Sequence, residues 1–215
     1  MISETDCSET LLRTEGLKTS FFTNRGTVRA VNDLNFSLEA GKVMGLIGES
    51  GSGKSVTALS IMGLVPPPGR ITGGRILFHG QDVLGMSETH ISRIRGDRLA
   101  MIFQDPMTSL DPVYTVGELL QEALQLEGTL SGRQLKRRSL ELLEWVGIPA
   151  PELQLQSYPF QLSGGMRQRV MIALALSRQP DLLIADEPTT ALDVTIQAQI
   201  LTLIREIQQE TQMSV

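Results

Sequence analysis

The sequence has few of the residues that mark several common classes of protein. Cys7 is its only cysteine, so no disulfide can form within the chain, and a reducing compartment is expected. His79 and His90 are its only histidines, and neither lies at metal-ligand spacing from other candidate ligands. These scarcities exclude a disulfide-stapled secreted domain and give no support to a zinc site.

The chain also lacks long apolar runs and blocks of positive charge. No uninterrupted apolar stretch reaches the roughly 18 residues that a membrane span requires. The first residues, Met1–Asp6, carry neither positive charge nor an apolar core, which disfavours a signal peptide. The 19 basic and 24 acidic residues give a net charge of −5, and no basic block predicts a nucleic-acid surface.

A glycine-rich loop is the first motif that carries chemistry. It matches the pattern GxxxxGK[ST], and it comprises Gly48, Glu49, Ser50, Gly51, Ser52, Gly53, Lys54 and Ser55. Val43–Ile47 predicts a short buried strand before it, and residues from Lys54 to about Leu64 predict a helix, which prolines 66–68 end. In this setting the backbone N–H groups surround phosphates, Lys54 neutralises them, and the Ser55 hydroxyl binds Mg²⁺.

A pair of acids follows a second apolar stretch. Leu182–Ala185 predicts a strand, and Asp186 and Glu187 come at its carboxyl end, where ligands bind in open parallel sheets. Because successive strand side chains point to opposite faces, we expect different roles for the two acids. Asp186 is predicted to face Mg²⁺ and Glu187 to deprotonate the attacking water. The alternative is a strand that simply ends in solvated acids.

A serine and two glycines open a further predicted helix. Ser163, Gly164 and Gly165 precede the apolar run Val170–Leu176, which predicts a buried helix. The free N–H groups and the dipole of a helix N-terminus attract an anion. On its own, this segment could equally be an ordinary capped helix start.

Together, and in their order along the chain, these motifs resemble those of the nucleotide-binding domain of ABC transporters. The resemblance covers almost the whole chain. The amino-acid sequences of segments 48–58, 101–110 and 184–195 are similar to those of the oligopeptide, dipeptide and nickel importer branch of this family. The resemblance implies an ATPase subunit on the cytoplasmic face of the cell membrane. It also implies a second ATP-binding subunit, two transmembrane permease subunits and an extracytoplasmic substrate-binding protein as partners.

The resemblance implies further roles for individual residues. Two domains would sandwich two ATP molecules, so that Ser163–Gly165 of one copy meets the γ-phosphate held by Lys54 of the other. Gln104 would reach the metal and the water, and its loop, about 105–116, would face a membrane subunit. Asp193 would lie at the dimer seam. The remaining nucleotide contacts implied are Val56, where many members have Thr, and Phe21 as the adenine-stacking residue, with Phe22 as the alternative.

The implied fold is an α/β P-loop domain over residues 11–215. It has a mixed sheet core, an antiparallel β-subdomain over about 11–47 and a helical subdomain over about 87–160, while residues 1–10 are expected to be flexible. Leu99–Phe103 predicts a strand and Arg75–Gly80 a strand and turn. Further helices are predicted around residues 116–124, after a capping box of Ser131 with Gln134, and over 196–207.

Other readings make distinct predictions. In the family a histidine that contacts the γ-phosphate follows the last helix, and it is expected to fall beyond Val215. We therefore expect this stretch by itself to hydrolyse ATP poorly, or to be a truncated, non-hydrolysing nucleotide-binding module.

A DNA-maintenance ATPase is disfavoured because Gln104 and Ser163 are only 59 positions apart, with no heptad run between them. A GTPase is disfavoured because no Asn-Lys-x-Asp motif follows the loop.

Overall fold

The computed structural model describes residues 10–104, 109–125, 130–190 and 192–215. Its chain divides into two compact units. Unit 1 comprises Met1–Arg95 with Gln212–Val215, and unit 2 comprises Gly96–Thr211. The expectation for residues 1–9 lies outside the described residues, and the first strand begins at Thr10.

Unit 1 is built on an antiparallel sheet of four strands in the order β2-β1-β3-β4. The strands are β1 (Thr10–Thr23), β2 (Gly26–Glu39), β3 (Gly69–Phe78) and β4 (Gln81–Asp82). A tight hairpin joins β1 to β2, where Thr23 pairs with Gly26. The predicted antiparallel subdomain is confirmed, and the strand predicted at Arg75–Gly80 begins earlier, at Gly69, and ends at Phe78.

Helix α1 (Lys54–Met62) starts where the sequence predicts it. It ends two residues before Leu64, because Gly63 takes a left-handed conformation with φ 63° and caps the helix, so the prolines that follow are not the stop. The buried hydroxyls of Thr19 and Ser60 lie 2.8 Å apart and link β1 to α1. This bond fixes the helix that follows the glycine loop against the sheet.

The buried strand predicted at Val43–Ile47 is wrong. No strand is assigned to these described residues, and Ile47 is 95% exposed. The Met44 N–H donates to the carbonyl of Val215 at 2.8 Å, and the Val215 N–H donates to that of Lys42 at 3.0 Å. These backbone hydrogen bonds involve only the beginning of the segment. Apolar composition alone does not produce a strand where no neighbouring strand continues the hydrogen bonding.

Unit 2 is built on two parallel strands, β5 (Leu99–Ile102) and β6 (Leu182–Ala185), in register from Leu99 opposite Leu182 to Ile102 opposite Ala185. Its helices include α3 (Val116–Gln125), α4 (Gly132–Trp145), α5 (Pro151–Gln154), α6 (Gly164–Leu176) and α7 (Val194–Thr211), and α2 (Glu88–Asp97) crosses the unit boundary. Both predicted strands are confirmed. Helices α2 to α5 and strand β5 lie within about 87–160, the range predicted for a helical subdomain, and that subdomain stays a prediction.

The helices of unit 2 follow their sequence patterns. Helix α6 buries Val170, Ile172 and Ala173, as its apolar composition predicts. The Ser131 N–H donates to Oε1 of Gln134 at 2.8 Å, which confirms the reciprocal bond of the predicted capping box before α4. Among the described residues, no helix combines the length and apolar character needed to cross a bilayer.

Candidate functional site

The glycine loop lies in unit 1, between residue 47 and helix α1. Its turn is closed by a bond from the Ser52 N–H to the Glu49 carbonyl at 3.2 Å. Gly51 and Gly53 adopt φ values of 78° and 97°, which side chains with a Cβ rarely take. The loop therefore depends on glycine for the path of its backbone.

Gly53 is the most constrained of these glycines. A Cβ at this position would collide with the carbonyl of Ala30 on β2, in addition to the strain of the positive φ. The start of α1 is therefore set tightly against the sheet. Such a cradle, which any side chain at Gly53 would disrupt, is the arrangement that phosphate binding by backbone N–H groups requires.

Lys54 extends over its own loop. Its Nζ donates to the carbonyls of Gly48 at 2.9 Å and Glu49 at 3.1 Å. The ammonium is thus held above the turn rather than directed away from it. Ser55 and Val56 follow in the first turn of α1, and both are half-buried.

In unit 2 the two predicted acids come immediately after β6. The Asp186 N–H donates to the Ile102 carbonyl at 3.0 Å and so continues the ladder by one residue. Glu187 leaves the strand with φ 45°. The argument from strand alternation is therefore wrong for Glu187, because a left-handed residue, and not the pleat, sets the direction of its side chain.

Glu187 is held by one side chain that is distant in sequence and by one that is close. Nε2 of Gln104, which follows β5, donates to Glu187 Oε2 at 2.9 Å. The Thr190 hydroxyl donates to the same oxygen at 3.1 Å and to the Glu187 carbonyl at 3.2 Å. The structure thus brings together two predicted residues, Gln104 and Glu187, and adds Thr190.

Sequence reasoning missed Thr190. A hydroxyl three residues after an acid is the spacing of a turn, and the Thr190 N–H donates to the Glu187 carbonyl at 3.3 Å. That spacing is a local signal that could have indicated the contact. Ala191, which the resemblance includes, and Asp105–Thr108, where the loop after Gln104 begins, lie outside the described residues.

Ser163 is the N-cap of helix α6. Its Oγ accepts a bond from the Met166 N–H at 3.3 Å, and Gly164 and Gly165 are the first helical residues. A Cβ at Gly165 would press on Ile196 of α7, at 2.9 Å. The capped-start interpretation is confirmed, and it is compatible with anion binding because both use the same helix end.

Asp193 caps helix α7. Its Oδ1 accepts bonds from the Thr195 and Ile196 N–H groups at 3.1 and 3.0 Å. This cap gives the carboxylate a structural role within the chain. The role implied at a dimer seam stays a prediction.

Phe21 and Phe22 are consecutive residues near the end of β1, and their side chains have different surroundings. The half-buried Phe21 ring covers Gly69, where a Cβ would collide with it. The Phe22 ring is 39% exposed and lies 4.3 Å from the Arg70 guanidinium. Adenine stacking by Phe21 stays a prediction.

The predicted residues therefore fall into two groups. The glycine loop and Phe21 belong to unit 1, whereas unit 2 holds Gln104, Asp186, Glu187, Ser163–Gly165 and Asp193. The hydroxyl, amide and carboxylate oxygens of Ser55, Gln104 and Asp186 are the hard ligands that Mg²⁺ prefers. Among the described residues, no group of three or more His, Cys, Asp and Glu offers a metal site of its own.

Comparison with known proteins identifies what the chain is similar to. A family model described as "ABC transporter" matches residues 31–190. The chain is 52% identical over 208 residues to the dipeptide transport ATP-binding protein DppD of Bacillus subtilis (strain 168), covering 96% of this chain and 62% of that protein. It is 51% identical over 203 residues to the oligopeptide transport ATP-binding protein OppD of Escherichia coli (strain K12), covering 94% and 60%.

A solved structure gives a similar result. The dimeric, post-hydrolysis ATP-binding cassette MJ0796 bound to ADP and Pi superposes with a TM-score of 0.82 at 28% identity. The match covers 95% of this chain and 85% of that one. This likeness confirms the predicted fold class. The chain spans about 60% of the length of the curated relatives that it matches.

Proposed function

This chain belongs to the ABC transporter family, and we propose that it is the subunit that hydrolyses ATP to drive the import of peptides. The observation that best supports this function is the hydrogen bonding of the Glu187 carboxylate. Gln104 and Thr190 hold it at the carboxyl end of a parallel strand. A carboxylate oriented in this way suits a general base that takes a proton from water. Peptides are the proposed substrates because the relatives DppD and OppD are named as dipeptide and oligopeptide transport proteins.

The chain's own residues divide the chemistry between them. The N–H groups of the glycine loop and the Lys54 ammonium bind the β- and γ-phosphates. Ser55, Asp186 and Gln104 would hold Mg²⁺, which would supply positive charge that offsets the charge of the phosphates. Glu187 orients and deprotonates the attacking water. The helix start at Ser163–Gly165 supplies N–H groups for the γ-phosphate of a second copy or sister subunit.

The partners belong to the proposal as well. Two permease subunits receive the movement that ATP binding and hydrolysis produce, and an extracytoplasmic binding protein delivers the peptide. The subunit acts at the cytoplasmic face of the membrane that these permeases span. The solved relative is a dimer with ADP and Pi, which supports pairing of two ATP-binding subunits.

A non-hydrolysing nucleotide-binding module is the alternative. Such a module has no need of an oriented base, whereas two donors converge on Glu187 Oε2 in this chain. That convergence favours the ATPase.

Reconstitution tests the proposal directly. The full-length gene product is assembled with its two membrane subunits in liposomes and supplied with its binding protein. We expect ATP-dependent accumulation of a labelled dipeptide or tripeptide, and we expect Glu187→Gln to abolish it. ATP turnover with uptake of nickel but not of peptide would overturn the substrate, and absence of ATP turnover would overturn the activity.

A further inference from the structure

We infer that Gln197 is a positioning residue for the general base, because its side-chain amide holds the turn from which Thr190 orients the Glu187 carboxylate. The inference rests on the proposed role of Glu187. It concerns a residue that lies ten positions after Glu187, in the first turn of helix α7.

The first step in the argument is the orientation of Glu187. Oε2 accepts hydrogen bonds from Gln104 Nε2 and from the Thr190 hydroxyl. Gln104 is a long side chain at the end of β5, whereas Thr190 reaches the carboxylate through a short hydroxyl. The Thr190 bond therefore depends closely on where the backbone of residue 190 lies.

The second step is the backbone that carries these residues. Glu187 has φ 45°, a left-handed conformation that costs free energy for any residue other than glycine. Such a conformation persists where surrounding bonds impose it. The turn supplies some of them, since the Thr190 N–H donates to the Glu187 carbonyl and the Leu192 N–H to the Thr189 carbonyl at 3.1 Å.

The third step is the attachment of this turn to helix α7. Nε2 of Gln197 donates to the Thr189 carbonyl at 3.1 Å and to the Leu192 carbonyl at 2.9 Å. A primary amide carries two N–H donors on one nitrogen, so a single side chain bridges both carbonyls. The Gln197 backbone N–H donates to the Asp193 carbonyl at 2.9 Å, which places the amide on a formed helical turn.

These contacts make one connected path from Gln197 through Thr189 and Leu192 to Thr190 and Glu187. Loss of the amide donors would remove two bonds, to the Thr189 and Leu192 carbonyls, while the Asp193 cap of α7 and the Gln104 bond to Glu187 stay in place. The turn that carries Thr190 would be held less firmly, and the carboxylate would lose its fixed direction. Because general-base catalysis depends on geometry, the rate of the chemical step should fall while nucleotide binding is retained.

The test compares Gln197→Glu with Gln199→Glu in the full-length gene product. Gln197→Glu keeps the shape of the side chain but removes both donors and turns an oxygen toward two carbonyls. Gln199 is exposed on the same helix, so its substitution matches the charge change without touching the turn. We expect kcat to fall about tenfold for Gln197→Glu, with KM for ATP unchanged. Gln199→Glu should retain the wild-type kcat.

Coupling to Thr190 is the second readout. Thr190→Val removes the hydroxyl and should lower kcat to a similar degree, whereas Thr190→Ser keeps the hydroxyl and should restore it. In the double variant Gln197→Glu with Thr190→Val, the loss should be no greater than that of the worse single variant. A merely structural role for Gln197 would instead give multiplied losses of kcat in the double variant.

The outcomes separate this inference from the proposed function. If wild-type protein hydrolyses ATP and Glu187→Gln abolishes hydrolysis, a wild-type kcat for Gln197→Glu would overturn the inference alone. Multiplied losses in the double variant would overturn it too. If Glu187→Gln itself turned over ATP at the wild-type rate, the proposed role of Glu187 would fail first.

Discussion

The glycine loop and the turn after β6 hold their functional groups by different means. In the loop, backbone conformation and close packing do the positioning, through Gly51, Gly53 and the carbonyl of Ala30. Around Glu187, side-chain bonds do it, from Gln104 at 83 positions' separation and from Thr190 close by. A loop that depends on backbone conformation should tolerate almost no change at its glycines, whereas a side-chain network should fail in graded steps.

The largest expected effect is at the most constrained glycine. Gly53→Ala places a Cβ against the Ala30 carbonyl and strains a φ of 97°, so we expect loss of ATP binding and a destabilised unit 1. Backbone strain alone costs about 1–3 kcal/mol, and the collision adds to it. Isothermal titration with ATP and thermal unfolding measure the two consequences.

Two other glycines serve as graded controls for this substitution. Gly51→Ala strains φ 78° but meets no atom within 4 Å, so its effect should be smaller. Gly45, before the loop, has neither a positive φ nor a neighbour within 4 Å, and Gly45→Ala should leave stability near the wild-type value. Equal effects at all three positions would contradict a loop whose path is set by local backbone constraints.

The side-chain network should respond next in magnitude. Gln104→Ala removes the 2.9 Å bond to Glu187, and we expect ATP turnover to fall roughly tenfold because the base loses a donor that orients it. Steady-state kinetics at saturating ATP and varied Mg²⁺ measure the effect. If excess Mg²⁺ restored full turnover, Gln104 would act through the metal and not through Glu187.

The part of the molecule that sequence predicts best is the part built from local rules. The start of α1 at Lys54, the cap at Ser163 and the buried face of α6 all follow from residues a few positions apart. The strand prediction for Val43–Ile47 is wrong because a strand needs a neighbouring strand to pair with. The apolar composition of the segment does not specify that neighbour. The left-handed φ of Glu187 is not predicted for a related reason, since the bonds around this turn, from Thr190 and Gln197, belong to no recognised sequence motif.

A smaller effect is expected at the aromatic pair on β1. If Phe21 stacks on adenine, Phe21→Ala should weaken ATP binding by about three- to tenfold, because such a contact is worth about 0.5–1.5 kcal/mol. Phe22→Ala should have less effect. Binding of inorganic tripolyphosphate should be unchanged in both variants, which separates lost stacking from damage to the glycine loop.

The packing of Phe21 over Gly69 calls for a second measurement. Thermal unfolding of Phe21→Ala reports any loss of this contact independently of the nucleotide. If Phe22→Ala weakened ATP binding more than Phe21→Ala did, the stacking role would move to Phe22.

The smallest expected effect is a pH dependence at the start of α3. The Thr115 N–H and hydroxyl donate to Glu118 Oε2 at 2.7 and 2.9 Å, and these bonds lower the pKa of Glu118 below its ordinary value. The stabilisation is therefore complete above the ordinary pKa of a glutamate, about 4.3, and is lost as the pH falls through the lower folded-state value.

Glu118→Gln keeps an acceptor oxygen but cannot titrate. The stability advantage of the wild type over this variant, measured by thermal unfolding, should shrink as the pH is lowered through that range. Glu122→Gln, an exposed site on the same helix, controls for removal of an acidic residue. A constant difference between wild type and Glu118→Gln at all pH values would contradict the prediction.

One paired measurement tests most directly whether the two regions have the separate roles assigned to them. ATP affinity and ATP turnover are measured for wild type, Lys54→Ala and Glu187→Gln in the full-length gene product. We predict that Lys54→Ala loses ATP binding, while Glu187→Gln binds ATP, accumulates as an ATP-bound dimer and turns over at least about 100-fold more slowly. Wild-type affinity in Lys54→Ala, or wild-type turnover in Glu187→Gln, would contradict the account.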